Sequence, residues 1–232
     1  ISPTLDRLDG TSTQIVTEDF RRLQRYYGAY ADISLGFKDQ VFLGLVGRND
    51  WSSTLPVDAN SYFYPGVSLS HILSETVALP SVISYAKWRA SWTKVGNEAF
   101  PYGTATPYFL GVPFTTATGT VANQSTFSNQ LGNPTLKPEF TTEVEGGLEM
   151  RFLNDRFGFD ITYFKRNSTD QITSRDVPRS TGFVRQVVNA GEIENRGIEL
   201  GLSLTPIKTS SGFQYDLNVN FTRIRSEVVS VG

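Results

Sequence analysis

Eight times between residues 26 and 223 the chain alternates apolar and polar residues with a period of two, and this restricts it to β-sheet. The segments are 26–37, 40–49, 62–73, 84–95, 141–152, 156–164, 195–205 and 213–223. In the fourth, Ala86, Trp88, Ala90 and Trp92 share one face, while Lys87, Arg89, Ser91 and Thr93 share the other. Successive side chains of a strand point to opposite faces, so each segment has an apolar side and a polar side. Most segments reach the roughly 9–11 tilted residues that span a bilayer's hydrocarbon, against about 5–6 for an ordinary globular strand. The links at 38–39, 75–82, 153–155 and 206–212 read as short, and those at 50–61, 96–140 and 165–194 as long. Sorting loops by parity is a property of transmembrane barrels, with short turns at one rim and long loops at the other. The expected fold class is therefore all-β, an antiparallel transmembrane β-barrel.

Composition removes other classes. Lys and Arg number 21 against 23 Asp and Glu, with no basic run, which argues against a nucleic-acid partner. There is no Cys, so a disulfide framework and Cys-based metal sites are excluded. The one histidine, His71, shares the face of Val67 and Leu69 and reads as interfacial, so no metal site and no cofactor are expected. No window approaches the length of a transmembrane helix. A barrel wall stays open, because alternation averages its hydropathy to an ordinary value, here −0.23. Tyr26, Tyr27, Tyr62, Tyr64, Trp88, Tyr163 and Phe164 lie near strand ends, where aromatic girdles sit at membrane interfaces. Cross-strand packing in any sheet accounts for them equally well.

The polar face raises the question of catalysis. Glu143, Glu145 and Glu149 share it on the fifth segment, opposite Val144, Gly146, Leu148 and Met150. Two carboxylates flank the scissile bond in glycosidases, and alternate strand residues lie about 6–7 Å apart. Nothing in the sequence makes one of them an acid, however, and Lys87 and Arg89 on the preceding segment can pair with them across the sheet. Lys87, Arg89, Glu143, Glu145, Glu149 and Glu199 are therefore expected to line a barrel lumen, without catalytic residues. Residues 97–138 carry Phe100, Tyr102, Tyr108, Phe109, Phe114 and Phe127 among Gly, Thr and Asn. Aromatic platforms on loops suit sugar or peptide ligands, and Tyr102, Tyr108, Phe109 and Phe114 are the candidate substrate contacts. The same aromatics could instead pack the loop on itself or on a partner. Residues 1–20 read as the tail of a preceding loop.

Five blocks carry a family resemblance. They are Gly47-Arg48-Asn49-Asp50-Trp51-Ser52-Ser53-Thr54-Leu55-Pro56; Ser61-Tyr62-Phe63-Tyr64-Pro65-Gly66-Val67-Ser68-Leu69-Ser70; Arg89-Ala90-Ser91-Trp92 with Val95-Gly96-Asn97; Leu131-Gly132-Asn133-Pro134 with Leu136-Lys137-Pro138-Glu139; and Val188-Asn189-Ala190-Gly191-Glu192-Ile193 followed by Asn195-Arg196-Gly197-Ile198-Glu199-Leu200. In family order, over residues 20–225, they resemble the SusC/RagA group of TonB-dependent outer-membrane transporters. The resemblance implies a barrel of about 22 strands in the outer membrane of a Gram-negative bacterium, closed by an N-terminal plug. It also implies energy supplied through TonB, a SusD-like surface lipoprotein as partner, and oligosaccharides or oligopeptides as cargo. No TonB box, plug or signal peptide is visible and only about eight strands are, so residues 1–232 are expected to be an internal part of the β-barrel domain. The alternatives are a secreted β-sandwich that binds glycans, which would bury its apolar face, and a passive small-barrel porin.

Overall fold

A computed structural model describes residues 22–110, 114–122 and 125–231. Eight long strands form one sheet: β1 (Tyr26–Phe37), β2 (Val41–Ser52), β3 (Ser61–Ile72), β4 (Ile83–Asn97), β5 (Glu139–Phe152), β6 (Phe157–Thr169), β7 (Glu192–Lys208) and β8 (Gln214–Ser230). They lie side by side in chain order, each antiparallel to the next. Tight turns set this order. Lys38 and Asp39 take positive φ of 52° and 54° between β1 and β2. Two such residues match the twist of the flanking strands, whereas an ordinary turn would splay them. Leu153, Asn154 and Asp155 do the same between β5 and β6.

Register keeps the apolar positions on one face. Leu45 stands opposite Val67, Val67 opposite Trp92, Leu148 opposite Trp88 and Ile161, and Leu200 opposite Ile161 and Phe221. A slip of one residue would turn a whole strand inside out. No other described residue covers this stripe: Ile33 is 51% exposed, Val144 54% and Phe221 55%. A sandwich would bury those residues in its core, so that alternative fails. The outermost strands, β1 and β8, do not pair with each other. The eight strands thus form an open sheet and not a small closed barrel. No helix of the described residues is long and apolar enough to cross a membrane, which says nothing about strands.

Three details depart from the sequence reading. The link at 53–60 is shorter than the one at 73–82, so loop length sorts by parity only for the other connections. Strands β6, β7 and β8 run past their expected ends at 164, 195 and 223, toward the long loops. There both faces turn polar and the alternation fades, but the ladder continues and ion pairs such as Lys165–Glu194, at 2.8 Å, bridge it. The long loops also fold into sheet of their own. Ile172–Asp176 pairs antiparallel with Arg185–Asn189, and Gln130–Leu131 joins the latter in parallel. Beneath them Leu55, Tyr62, Ala99, Leu136 and Val187 form a buried cluster, with Tyr64, Phe140 and Ile172 packed around it. The reading of residues 1–20 lies outside the described residues.

Candidate functional site

The six charged residues singled out above share one face of the sheet. Lys87 stands opposite Glu149, Ser91 opposite Glu145 and Thr93 opposite Glu143; Glu199 stands opposite Thr162. Arg89, Glu143 and Glu145 pair across strands, and Glu149 pairs along its own. Arg89 reaches across β5 to β6, where its fork meets Asp160 at 2.9 Å (Nη1–Oδ2) and 2.7 Å (Nη2–Oδ1). Nη2 also donates to Thr162 Oγ1 at 2.5 Å, and Glu145 lies 3.7 Å from Nε. The crossing depends on Gly147, because a Cβ there would lie 2.7 Å from both Cζ and Nε of Arg89. Arg151 holds Glu149 at 2.8 Å, and Arg166 donates to Glu143. Each carboxylate of the apparent glycosidase motif therefore sits against an arginine, as in a fixed ion-pair net. Bidentate arginine–carboxylate pairs combine charge with planar geometry, which makes them stiff.

A second polar knot lies nearer the long loops on the same face. Asp50, only 1% exposed, accepts hydrogen bonds from Tyr26 Oη at 2.5 Å, from Tyr64 Oη, and from Arg48 Nε at 2.8 Å. Arg48 also donates to Tyr26 Oη at 2.7 Å. The carboxylate lies over Gly28, where a Cβ would meet Oδ1 at 2.1 Å. The sequence reading missed this knot. Its signal was Arg48 and Asp50 two residues apart, hence on one face, with Gly28 on the neighbouring strand.

Of the four loop aromatics, the structure describes the side chains of Tyr102 and Tyr108. Tyr102 takes a positive φ of 65°, and its hydroxyl accepts the Leu23 N–H at 3.3 Å just ahead of β1. Tyr108 is 75% exposed on the short strand Tyr108–Leu110, which pairs with Ser125–Phe127. Phe109 and Phe114 fall on short paired strands, and their side chains lie outside what is described. Further aromatics pack at this end. Tyr62 stacks near Tyr64 and meets Phe140 edge-on, with centroids 6.2 and 6.4 Å apart, and the Lys94 ammonium stands 3.9 Å from the centre of the Phe140 ring. Glu139 ties the loops to the sheet by accepting from the Ile172 N–H at 2.5 Å and from Asn97 Nδ2 at 3.0 Å.

The apolar face carries aromatic clusters at both rims. Phe152, Phe157 and Phe159 stack at the short-turn rim, and Tyr27 stacks on Trp51 at the loop rim, 5.2 Å apart. Near the short turns His71 Nδ1 accepts from Trp88 Nε1 at 3.3 Å, and its Nε2 pairs with Thr76 at 2.9 Å. An exposed apolar band between aromatic rims, backed by a charged face, defines a wall segment of an outer-membrane β-barrel. The family described as "TonB dependent receptor-like, beta-barrel" matches residues 2–232, and the chain belongs to it. It is thereby an outer-membrane protein of Gram-negative type, in a family of receptors and transporters and not of enzymes. Among curated relatives it is 28% identical over 221 residues to TonB-dependent receptor P26 of Formosa agariphila, covering 94% of this chain and 22% of the relative. It is 28% identical over 194 residues to TonB-dependent receptor SusC of Bacteroides thetaiotaomicron, covering 79% of this chain and 19% of that protein. The chain thus spans about a fifth of the length of these relatives. Among solved structures, the RagAB peptide importer in its closed-closed state matches with a TM-score of 0.77 at 21% identity, over 89% of this chain and 22% of that one. The siderophore receptor PirA of Pseudomonas aeruginosa matches with a TM-score of 0.59 at 18% identity, over 89% of this chain and 35% of that one. At such identities the likeness is one of fold.

Proposed function

We propose that this chain is a stretch of barrel wall, with its outer loops, in an active importer of oligosaccharides or oligopeptides. In this reading the apolar face meets lipid and the polar face lines the lumen. The loops at 53–60, 98–138 and 170–191 then lie outside the cell, where Tyr102, Tyr108, Phe109 and Phe114 face cargo or partner. Import draws energy through TonB, and a SusD-like surface lipoprotein presents the cargo.

The observation that carries the reading is the unbroken separation of faces. Across eight strands the stripe from Ile33 to Phe221 stays apolar and uncovered by any described residue, and the face behind it is cross-linked by Arg89–Asp160 and by the bonds of Tyr26 and Tyr64 to Asp50. A soluble protein rarely leaves so large a contiguous apolar surface open. The RagAB structure it resembles is described as a peptide importer, which supports peptides as one of the cargo classes.

The test is uptake by cells carrying the complete gene. Labelled oligosaccharides and oligopeptides are offered to wild type, to a strain lacking the gene, and to one lacking TonB function. Loss of uptake of one cargo class in both mutants is expected, together with co-purification of a lipoprotein in detergent. Uptake that persists without TonB would mean a passive pore.

A further inference from the structure

The wall parts between β3 and β4. Their ladder runs from Ile72–Lys87 to Gly66–Thr93 and stops there. Yet β3 pairs with β2 out to Ser61, and β4 pairs with β5 out to Asn97. Each strand keeps its other neighbour, so the parting is internal to the sheet. Pro65 causes it. A proline has no N–H to give a ladder and sits in a strand only where its nitrogen faces no partner. The β2 ladder runs straight past Pro65, which stands opposite Gly47, so the missing donor is on the β4 side.

Beyond Gly66 the two halves overlap. By register Tyr62 and Tyr64 belong with Asp50 and Arg48 on the polar face, whereas Gly96 and Phe140 belong with Trp92 and Val144 on the apolar face. The two sets nevertheless meet. A Cβ on Gly96 would lie 2.5 Å from Tyr62 Cδ2 and 3.3 Å from Tyr64 Cδ1, and Tyr62 stands edge-on to Phe140. The polar side of β3 can pack on the apolar side of β4 and β5 only if those strands lean toward the polar side and pass behind β3. Leu55 and Tyr62 from one half close on Ala99, Leu136 and Val187 from the other. Farther out, Gln24 donates to Glu98 and the Leu23 N–H to Tyr102, both exposed bonds that exchange readily with water. At the foot of the overlap a hollow of about 250 Å³ lies between Tyr64 and Pro65 on one side and Thr93 and Val95 on the other.

We propose that this overlap is a shear joint, at which the outer ends of β4, β5 and β6 slide as one leaf against β3 and set the width of the lumen's outer mouth. The effect on the mouth rests on the reading that the polar face lines the lumen. A ladder resists sliding because its hydrogen bonds must break together. Rings packed on a glycine and an apolar cluster can instead shift by about 1–2 Å, the scale of shear between packed elements. The hollow gives Tyr64 room for that shift. The leaf moves as a unit because β5 and β6 stay paired out to Phe140–Thr169, and Glu139 holds the Ile172 N–H above them.

The experiment places pairs of nitroxides on the complete protein in nanodiscs and reads their separation from dipolar broadening. One pair, Ser61→Cys with Asn97→Cys, spans the joint at exposed positions, and the other, Ser68→Cys with Ser91→Cys, spans the ladder below it. The outer pair should give a distribution of distances about twice as broad as the inner pair. Equal widths overturn the proposal. In cells, a reductant-cleavable cross-link between Ser61→Cys and Asn97→Cys should block cargo uptake, and reductant should restore it. Unchanged uptake at complete cross-linking overturns the proposal, as does an equal loss from the same cross-link between Ser68→Cys and Ser91→Cys. A nitroxide on Val144→Cys reports separately on the wall reading. Relaxation by oxygen dissolved in lipid, with equal widths for the two pairs, sinks the joint alone, whereas relaxation by a water-soluble nickel complex sinks the wall reading.

Discussion

The side-chain amide of Asn189 grips the backbone of Lys137 from both ends. Oδ1 accepts the Lys137 N–H at 2.9 Å, and Nδ2 donates to the Lys137 carbonyl at 2.8 Å and to the Asp170 carbonyl at 3.0 Å. One side chain thereby does the work of a neighbouring strand at a place where no ladder runs. It joins the descent into β5 to the hairpin that leads into β7. Pro138 helps, because the residue before a proline is held extended, so Lys137 presents both backbone groups.

Replacing Asn189 should therefore loosen the loops and leave the wall intact. Asn189→Ala removes three hydrogen bonds at a partly wet site, a local cost of about 1–2 kcal/mol. Protease nicking within 98–138 on intact cells should rise, while the heat-modifiable gel mobility of the barrel stays unchanged. Asn189→Asp should be no better than alanine, since its carboxylate would face two carbonyl oxygens. Unchanged nicking in both variants would mean that something else holds the loops.

Adjacent glycines on β5 should respond oppositely to added volume. At Gly147 a Cβ would meet Arg89 at 2.7 Å, whereas at Gly146, on the other face, nothing lies within 4 Å. Gly147→Val should push Arg89 off Asp160 and cost about 1–3 kcal/mol. Gly146→Ala should be neutral, or stabilise by up to about 1 kcal/mol by restricting the unfolded chain. Urea unfolding of the reconstituted protein measures both. Equal effects would show that Arg89 does not need the space above Gly147.

Much of this architecture was legible in the chain because membrane and sheet impose the same period. Wherever apolar and polar residues alternate, as from Ala86 to Thr93, strand, face and neighbour followed from the residue order alone. Legibility ended where that pattern did. Beyond Phe164 the strand carries Lys165, Arg166 and Asn167, polar on both faces, and nothing local distinguishes it from a loop. Pairing there comes from across the sheet. The site shows the same division. Placing Arg89 with the glutamates needed only parity, but its main partner is Asp160, two strands away across Gly147. The buried Asp50 knot escaped because it draws on three strands at once. The loop aromatics were chosen by composition, which says nothing of what each one touches, such as the Leu23 N–H that Tyr102 accepts.

The Arg89–Asp160 pair should show measurable coupling. Both side chains are part-exposed, at 31% and 41%, so solvent limits what the pair contributes. A double-mutant cycle with Arg89→Ala and Asp160→Ala should give a coupling of about 0.5–1.5 kcal/mol. Arg89→Lys should recover little of it, because a single ammonium cannot make two parallel bonds to the carboxylate. Strict additivity in the cycle would show that the fork is an incidental contact.

The separation of faces makes the sharpest demand. Leu148 stands opposite Trp88 and Ile161, four positions along β5 from the aromatic rim at Phe152, which places it near mid-band. Ser91, on the adjoining strand, lies on the polar face opposite Glu145. Leu148→Arg puts a charge against lipid and should cost about 2–4 kcal/mol, the penalty at a bilayer midplane. Ser91→Lys adds a charge of the same sign on the other side, beside a carboxylate, and should cost less than about 0.5 kcal/mol. Folding yield and urea midpoint in liposomes separate the two by a wide margin. If Leu148→Arg folds as readily as Ser91→Lys, the apolar face does not meet hydrocarbon, and the barrel-wall reading fails with it.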